Sequence, residues 1–197
     1  MHAYATGSRT PVYVALAAPA VAIAVALDWF VDAVGFDGGW FISAPSIGGA
    51  YALLLAAFDT WAWRWRWLRK IGFTATPDVE GIYEGTIRST YEGKQIPVRL
   101  VIEQRWLRVL IRFEVMGTAT SSSRSVAAAI LEEGHRDSRV IYTYKNQVRP
   151  GYAEPDMNDH DGTADIVITP LGTVSGRYFN ARGRQGDLRL QRVREQH

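Results

Sequence analysis

Two long uncharged runs near the amino terminus constrain the fold more than any other feature of this chain. Thr10 to Leu27 is a run of eighteen residues without a charge, and Gly38 to Phe58 is a run of twenty-one. At about 1.5 Å per residue, helices of this length reach across the hydrocarbon core of a bilayer. Membrane helices tolerate the prolines and glycines that both runs contain. The sequence therefore predicts two transmembrane helices within residues 1–70.

Two other structures fit these runs less well. A buried helical hairpin needs a partner region that covers two helices apolar on all sides, and the remaining chain is short for that purpose. A cleaved signal peptide would use the small residues before Leu27. However, residues 1–9 hold a single arginine, and the second run follows ten residues after the first. A pair of membrane spans is the favoured interpretation.

The distribution of charge predicts the orientation of the pair. The segment between the runs has three aspartates and no basic residue, whereas Arg64, Arg66, Arg69 and Lys70 follow the second run. Lysine and arginine concentrate on the cytoplasmic side of membrane helices. We therefore expect the amino terminus and the carboxyl-terminal domain to lie in the cytoplasm, with the loop outside.

The stretch "DTWAWRWRWLRK", Asp59 to Lys70, places four tryptophans at alternate positions. If the second helix continues through it, successive residues are about 100° apart and the indoles encircle the helix. Tryptophan is enriched at membrane interfaces, and arginine can bury its stem while its guanidinium reaches phosphate. The stretch is predicted to be a collar at headgroup depth. An alternating strand is the other interpretation, and it needs a partner sheet. Residues 71–80, with Pro77, are predicted to be a linker.

From Gly81 onward the sequence alternates with a period of two. In the clearest example, Leu107, Val109, Ile111, Phe113 and Val115 share one face. Such alternation is typical of half-buried antiparallel strands. Eight strands are predicted, at Gly81–Ser89, Ile96–Gln104, Leu107–Met116, Ser123–Leu131, Ser138–Lys145, Gly162–Thr169, Thr173–Phe179 and Asp187–Val193. Residues 81–197 are therefore predicted to form a small all-β antiparallel barrel, with a sandwich as the alternative.

Motifs for catalysis and metal binding are weak in this sequence. The chain has no cysteine, which excludes thiolate nucleophiles and cysteine-based zinc sites. "DMNDHDG" resembles a calcium loop, but Met157 and Ile168 occupy the first and last ligand positions. "EEGHRD" lacks the spacing of a helical zinc pair. We expect no catalytic residues, no metal and no cofactor, and hence no enzyme activity.

The strongest concentration of polar groups lies in the last segment, "GRYFNARGRQGDLRLQRVRE". Arginine binds phosphate in a bidentate manner, aromatic rings stack on bases, and an asparagine amide can bind a base edge. This composition fits a compact anionic nucleotide, although outward-facing arginines on strands are the ordinary alternative. Tyr142, Tyr144 and Asn146 form a second such set, which is more typical of packing.

Two amino-terminal spans, a strand-rich module that opens with "GIYEGTI", and the closing segment "GRYFNARGRQGDLRLQRV" together resemble a known family. They are similar to the two-transmembrane, β-strand-rich effectors of CBASS, the cyclic-oligonucleotide-based antiphage signalling systems of bacteria. The resemblance implies a multi-pass protein of the bacterial inner membrane whose barrel binds a cyclic dinucleotide made by a partner nucleotidyltransferase. It also implies self-association, membrane disruption and death of the infected cell, with no DNA or RNA polymer as partner.

The resemblance transfers no catalytic residue and no individual ligand contact. Within the implied pocket, physical chemistry selects five candidate contacts: Tyr83, Tyr142, Tyr178, Asn180 and Arg182. The alternative function is a membrane-tethered, lipocalin-like module that binds a lipid or another small ligand without killing.

Overall fold

The chain divides into a helical unit and a β-sheet unit. A computed structural model describes residues 1–35, 40–90, 95–117, 121–133, 136–148 and 159–193, with only the backbone described at 40–46. The helical unit is Gly7–Ala75, and the β-sheet unit combines Met1–Thr6 with the chain from Thr76 onward.

The helical unit contains two long helices that pack against each other. Its elements are α1 (Thr10–Ala33), α2 (Trp40–Thr60), a 3₁₀ turn (Ala62–Arg64) and α3 (Arg66–Lys70). Small side chains at Ala20, Ala24 and Ala50 are buried. The Tyr51 hydroxyl donates a hydrogen bond to the carbonyl of Tyr13 at 3.3 Å. The two helices therefore form a hairpin.

Helix α1 has the length and composition of a membrane span, with a mean hydropathy of 2.1. It continues past the predicted end at Leu27, so that Asp28 and Asp32 lie within the helix. The end of an uncharged run marks a change in side-chain polarity, whereas the helix itself ends before Gly35, whose φ is 75°. In α2 the described apolar portion, Ile47–Thr60, is shorter than a span, and the second transmembrane helix stays a prediction.

The collar differs from the predicted continuous helix. Helix α2 ends at Thr60, the 3₁₀ turn follows, and Trp65 is extended before α3 begins. This break turns Trp63 inward, where it is fully buried, while Trp61, Trp65 and Trp67 stay exposed. The prediction that the four indoles encircle one helix was therefore wrong, because it assumed unbroken helical geometry.

The β-sheet unit is a closed antiparallel barrel. Its strands are β1 (His2–Ala3), β2 (Gly81–Ser89), β3 (Gln95–Gln104), β4 (Arg108–Val115), β5 (Ser121–Glu132), β6 (Ser138–Val148), β7 (His160–Ile168), β8 (Thr173–Asn180) and β9 (Gln185–Val193). The sheet order is β1-β4-β3-β2-β9-β8-β7-β6-β5, and an added pairing of β4 with β5 closes it. The eight predicted strands are confirmed as a barrel rather than a sandwich, because a sandwich leaves edges that this pairing removes.

The interior of the barrel follows the two-residue alternation of the sequence. On β4, Val109 and Ile111 are buried in the core that Leu100, Ile166 and Leu188 share from other strands. Each predicted strand boundary lies within three residues of the observed one. Apolar alternation was therefore sufficient to locate β2 to β9.

The amino terminus completes the seam between β4 and β5. These two strands pair only near Phe113↔Ser123. Beyond that point β1 pairs with β4, and Ala5 accepts from the amide of Ile130 at 2.8 Å. Residues 1–70 were all predicted to belong to the membrane part, whereas the structure groups Met1–Thr6 with the barrel. Six residues are too few for a periodic pattern to reveal this pairing.

This seam bears on the topology of the chain. Both ends of Gly7–Ala75 continue into one folded barrel. If this unit crosses a membrane, it crosses an even number of times, since both ends must lie on the same side. Removal of a signal peptide near Leu27 would also remove β1 and Tyr4, which is buried in the barrel core.

Candidate ligand site

The two ends of the barrel carry different side chains. Because neighbouring strands are antiparallel, β2, β6 and β8 all finish at one end, which we call the tyrosine end. The opposite end, where β2 begins at Gly81 after the linker, is called the linker end.

Three interior tyrosines lie toward the tyrosine end. Tyr142 and Tyr144 follow each other on the inner face of β6, with ring centroids 6.1 Å apart. Tyr178 of β8 is half-buried, and its hydroxyl donates a hydrogen bond to the Ser89 hydroxyl at 2.9 Å. Their rings form an aromatic surface inside the barrel, on the side of its interior that β6 to β9 enclose.

Two glycines make room for these rings. A Cβ atom at Gly162 would lie 2.4 Å from the Tyr144 ring, and one at Gly186 would lie 2.6 Å from the Tyr178 ring. A side chain at either position would have to displace an aromatic ring within a packed barrel. Glycine within a strand often marks such a close approach. The positions of Tyr144 and Tyr178 therefore depend on their neighbours across the sheet.

A polar pair lies next to the tyrosines. The Ser123 hydroxyl donates to Asn146 Oδ1 at 2.9 Å, and both side chains are buried. Asn146 follows Tyr144 on the same face of β6. The tyrosine end thus combines aromatic rings with an amide and hydroxyl groups, which are the groups that bind bases and sugars.

The β8–β9 turn brings two arginines to the tyrosine end. Asn180 Oδ1 accepts from the backbone amides of Arg182 and Arg184, at 3.1 and 3.0 Å. Gly183, with φ at 69°, permits the tight turn between them. Both arginine side chains are half-buried. Asn180, selected from the sequence as a base contact, therefore holds the turn that carries the arginines.

Tyr83 lies away from the other selected residues. Its hydroxyl donates to the carbonyl of Val79 at 2.9 Å, and the Arg192 guanidinium lies 5.8 Å from its ring centroid. Tyr83 is near the start of β2, at the linker end, whereas Ser89, the partner of Tyr178, is the last residue of that strand. The structure brings Tyr142, Tyr178, Asn180 and Arg182 toward one end of the barrel and does not place Tyr83 with them.

Burial keeps the interior phenols neutral. It raises the pKa of Tyr142, with a further contribution from Tyr144. Burial likewise raises the pKa of Tyr144 to about 12, and Tyr178 adds to the effect. Both hydroxyls therefore remain hydrogen-bond donors at physiological pH, and neither repels an anionic ligand.

We expect the barrel to lose stability above pH 10. The pKa of Tyr144 rises from 10.0 to about 12 in the folded chain. Its contribution is therefore fully present below pH 10 and is lost as the pH rises toward 12. Denaturant unfolding of the full chain in detergent across this range measures the effect. Tyr144→Phe, which has no ionisable phenol, should show a smaller decline, and an equal decline would contradict the assignment.

Sequence inspection undervalued four residues of this site. Tyr144, Asn146, Ser123 and Ser89 all face the interior near the selected tyrosines. The pattern Tyr142-x-Tyr144-x-Asn146 placed two of these side chains, Tyr144 and Asn146, on the same strand face as Tyr142. That signal was present, but it does not reveal which strands meet across the barrel.

Comparison with known proteins agrees with this architecture. Residues 74–192 match a family model described as the Cap15 cyclic dinucleotide receptor domain. Over 157 residues the chain is 33% identical to CD-NTase-associated protein 15 of Yersinia aleksiciae, which covers 75% of this chain and 70% of that protein. The family match spans nearly all of β2 to β9, and the pairwise match covers most of the chain. The chain therefore belongs to the Cap15 family of CBASS effectors, the family that its sequence resembles.

Proposed function

We propose that this chain is a membrane-anchored receptor whose barrel binds a cyclic dinucleotide at the tyrosine end. The observation that carries the proposal is the interior cluster of Tyr144, Tyr178 and Asn146, in a barrel matched by a cyclic dinucleotide receptor family. The ligand is the product of a cognate nucleotidyltransferase, as the name of the relative from Yersinia aleksiciae suggests for that protein.

The residues divide between the two parts of such a ligand. Base rings stack on tyrosine faces, and the amide of Asn146 with the hydroxyls of Ser123 and Ser89 pairs with base edges and ribose. The arginines of the β8–β9 turn supply positive charge for the phosphates. In this proposal the barrel binds the ligand and does not cleave it.

Ligand binding would then act on the helical unit. The resting protein must remain unassembled, since premature membrane disruption would kill the host cell. A ligand that binds the assembled state about 10⁴-fold more tightly shifts a 1:99 equilibrium to 99:1. We propose that this shift drives self-association through the helices and disruption of the inner membrane during infection. Gly48 and Gly49 of α2 face open space, because no other part of the described structure lies within 4 Å of the Cβ atom that a larger residue would carry there. Small residues at such positions allow helices to approach each other closely.

Calorimetric titration of the full chain in nanodiscs tests the binding step. The probes are cyclic dinucleotides that carry each pair of the common bases, with linear dinucleotides and a fatty acid as controls. We expect at least one cyclic probe to bind and the linear forms to bind weakly. Binding of the fatty acid alone would instead support the lipocalin-like alternative and contradict the receptor proposal.

Removing the charges of the β8–β9 turn should weaken binding. For Arg182→Gln with Arg184→Gln we expect a loss of about 3 kcal/mol, or roughly 150-fold in Kd, since charge-assisted hydrogen bonds contribute about 1.5–3 kcal/mol each. The wild-type affinity should fall with added salt, and that of the double variant should fall less. Arg177→Gln with Arg189→Gln, on exposed strand positions, is the matched control. Equal losses in both variants would show a general charge effect.

A further inference from the structure

Four residues after α2 form an open groove in the helical unit. Trp65, Arg66, Trp67 and Lys70 line it, with a volume of about 660 Å³. The two indoles are 52% and 55% exposed, and their ring centroids lie 6.1 Å apart. We call these four residues the tryptophan groove. Two large aromatic rings side by side in contact with water are unusual unless something covers them.

The basic residues of the groove are available to a ligand. Arg66 and Lys70 are four residues apart on α3, so both lie on the same side of it. Their side chains are exposed, and in the described part of the chain neither forms a hydrogen bond or an ion pair. Two uncompensated positive charges therefore flank a pair of exposed indoles.

The chemistry of the groove selects an anionic amphiphile. A guanidinium and an ammonium attract a phosphate, and indoles favour the boundary between headgroups and acyl chains. A free anion would gain from the charges but not from the rings. A zwitterionic lipid would gain from the rings and much less from the charges.

We propose that the tryptophan groove binds the headgroup of an anionic phospholipid. The phosphate lies between Arg66 and Lys70, and the glycerol and upper acyl region cover Trp65 and Trp67. The inference rests on the membrane association in the proposed function, and it adds a lipid preference that the anchor alone does not require. The position of the protein in the bilayer then depends on which phospholipids surround it.

Native mass spectrometry of the full chain tests this inference. The protein is extracted in detergent and supplied with equal amounts of phosphatidylglycerol and phosphatidylcholine. We expect the wild type to retain phosphatidylglycerol preferentially. Arg66→Gln with Lys70→Gln should lower that preference about 30-fold, since each basic residue near the surface contributes about 1 kcal/mol. Trp65→Ala with Trp67→Ala should lower retention of both lipids. Lys145→Gln with Arg189→Gln, which removes the same charge from the barrel surface, is the matched control and should retain the preference.

The outcomes separate this inference from the proposed function. Unchanged lipid preference in the Arg66 and Lys70 variant would overturn it, as would competition by inorganic phosphate at the concentration of the lipid. If instead the wild-type chain is recovered without detergent from the soluble fraction, the membrane part of the proposed function fails as well. Cyclic dinucleotide binding, measured on the same samples, should be unaffected by the groove variants.

Discussion

Replacing Gln104 by leucine should destabilise the barrel by about 3 kcal/mol, because Gln104 holds both chain segments that lead to the helical unit. Its Nε2 donates to the Tyr4 hydroxyl at 3.1 Å and to the carbonyl of Pro77 at 2.9 Å. Its Oε1 accepts from the amide of Val79 at 2.9 Å, and the side chain is 1% exposed. Leucine fills similar space but leaves these buried groups without that partner, at about 1–3 kcal/mol each.

Hydrogen exchange at the amides of Ala5 and Ile130 measures this loss of stability at the seam between the first six residues and β5. These amides join the first six residues to β5, at 3.0 and 2.8 Å. In Gln104→Leu they should exchange roughly 100-fold faster, since local opening becomes easier when Tyr4 loses a buried partner. Gln147→Leu, at an exposed position on β6, is the control. Unchanged exchange in Gln104→Leu would show that the seam is held by β1 pairing alone.

Replacing Tyr144 and Tyr178 by leucine should weaken cyclic dinucleotide binding by about 4 kcal/mol, or roughly 1,000-fold in Kd. Stacking of a base on an aromatic side chain contributes about 1–3 kcal/mol, and a dinucleotide has two bases. Leucine keeps an apolar side chain in the interior and removes the flat ring. Calorimetry on the full chain measures the affinity, and thermal unfolding checks that the double variant remains folded.

Tyr83→Leu provides the matched comparison for that experiment. Tyr83 is also a buried interior tyrosine, but its hydroxyl bonds the carbonyl of Val79 at the linker end. We expect its replacement to lower stability and to leave affinity within about threefold, because it lies away from the tyrosine end. A loss equal to that of the double variant would place the ligand against Tyr83 and contradict the assignment of the site.

The predictability of the barrel has a physical basis. In strands such as Arg108–Val115, apolar and polar residues alternate because every second side chain faces the core. This alternation is visible in the sequence, so the ends of these strands can be predicted to within a few residues. The two-residue strand His2–Ala3 has no room for alternation, and its pairing depends on where β4 and β5 separate. Likewise the burial of Trp63 depends on a break in the helix that the neighbouring residues do not predict.

The candidate site was predictable in composition and less so in arrangement. Tyr142 and Tyr178 were chosen for their chemistry within the implied pocket, and both lie on the inner faces of their strands. Alternation indicates which face of a strand a residue occupies. It does not give the position along the barrel axis, and for that reason Tyr83 was grouped with residues from the other end. Asn180 was selected as a base contact because of its amide group, whereas in the structure its side-chain carbonyl oxygen accepts hydrogen bonds from two backbone amides of the turn.

Hydrogen exchange of the full chain in nanodiscs, with and without the cyclic dinucleotide that binds best, tests the central claim most directly. Binding at the tyrosine end predicts protection in the second half of β6, the end of β8 and the β8–β9 turn, including the amides of Arg182 and Arg184. A response should also extend to the helical unit if binding shifts its assembly. Saturating ligand that leaves the β6 and β8 amides unchanged, or that protects only residues at the linker end, would contradict the account.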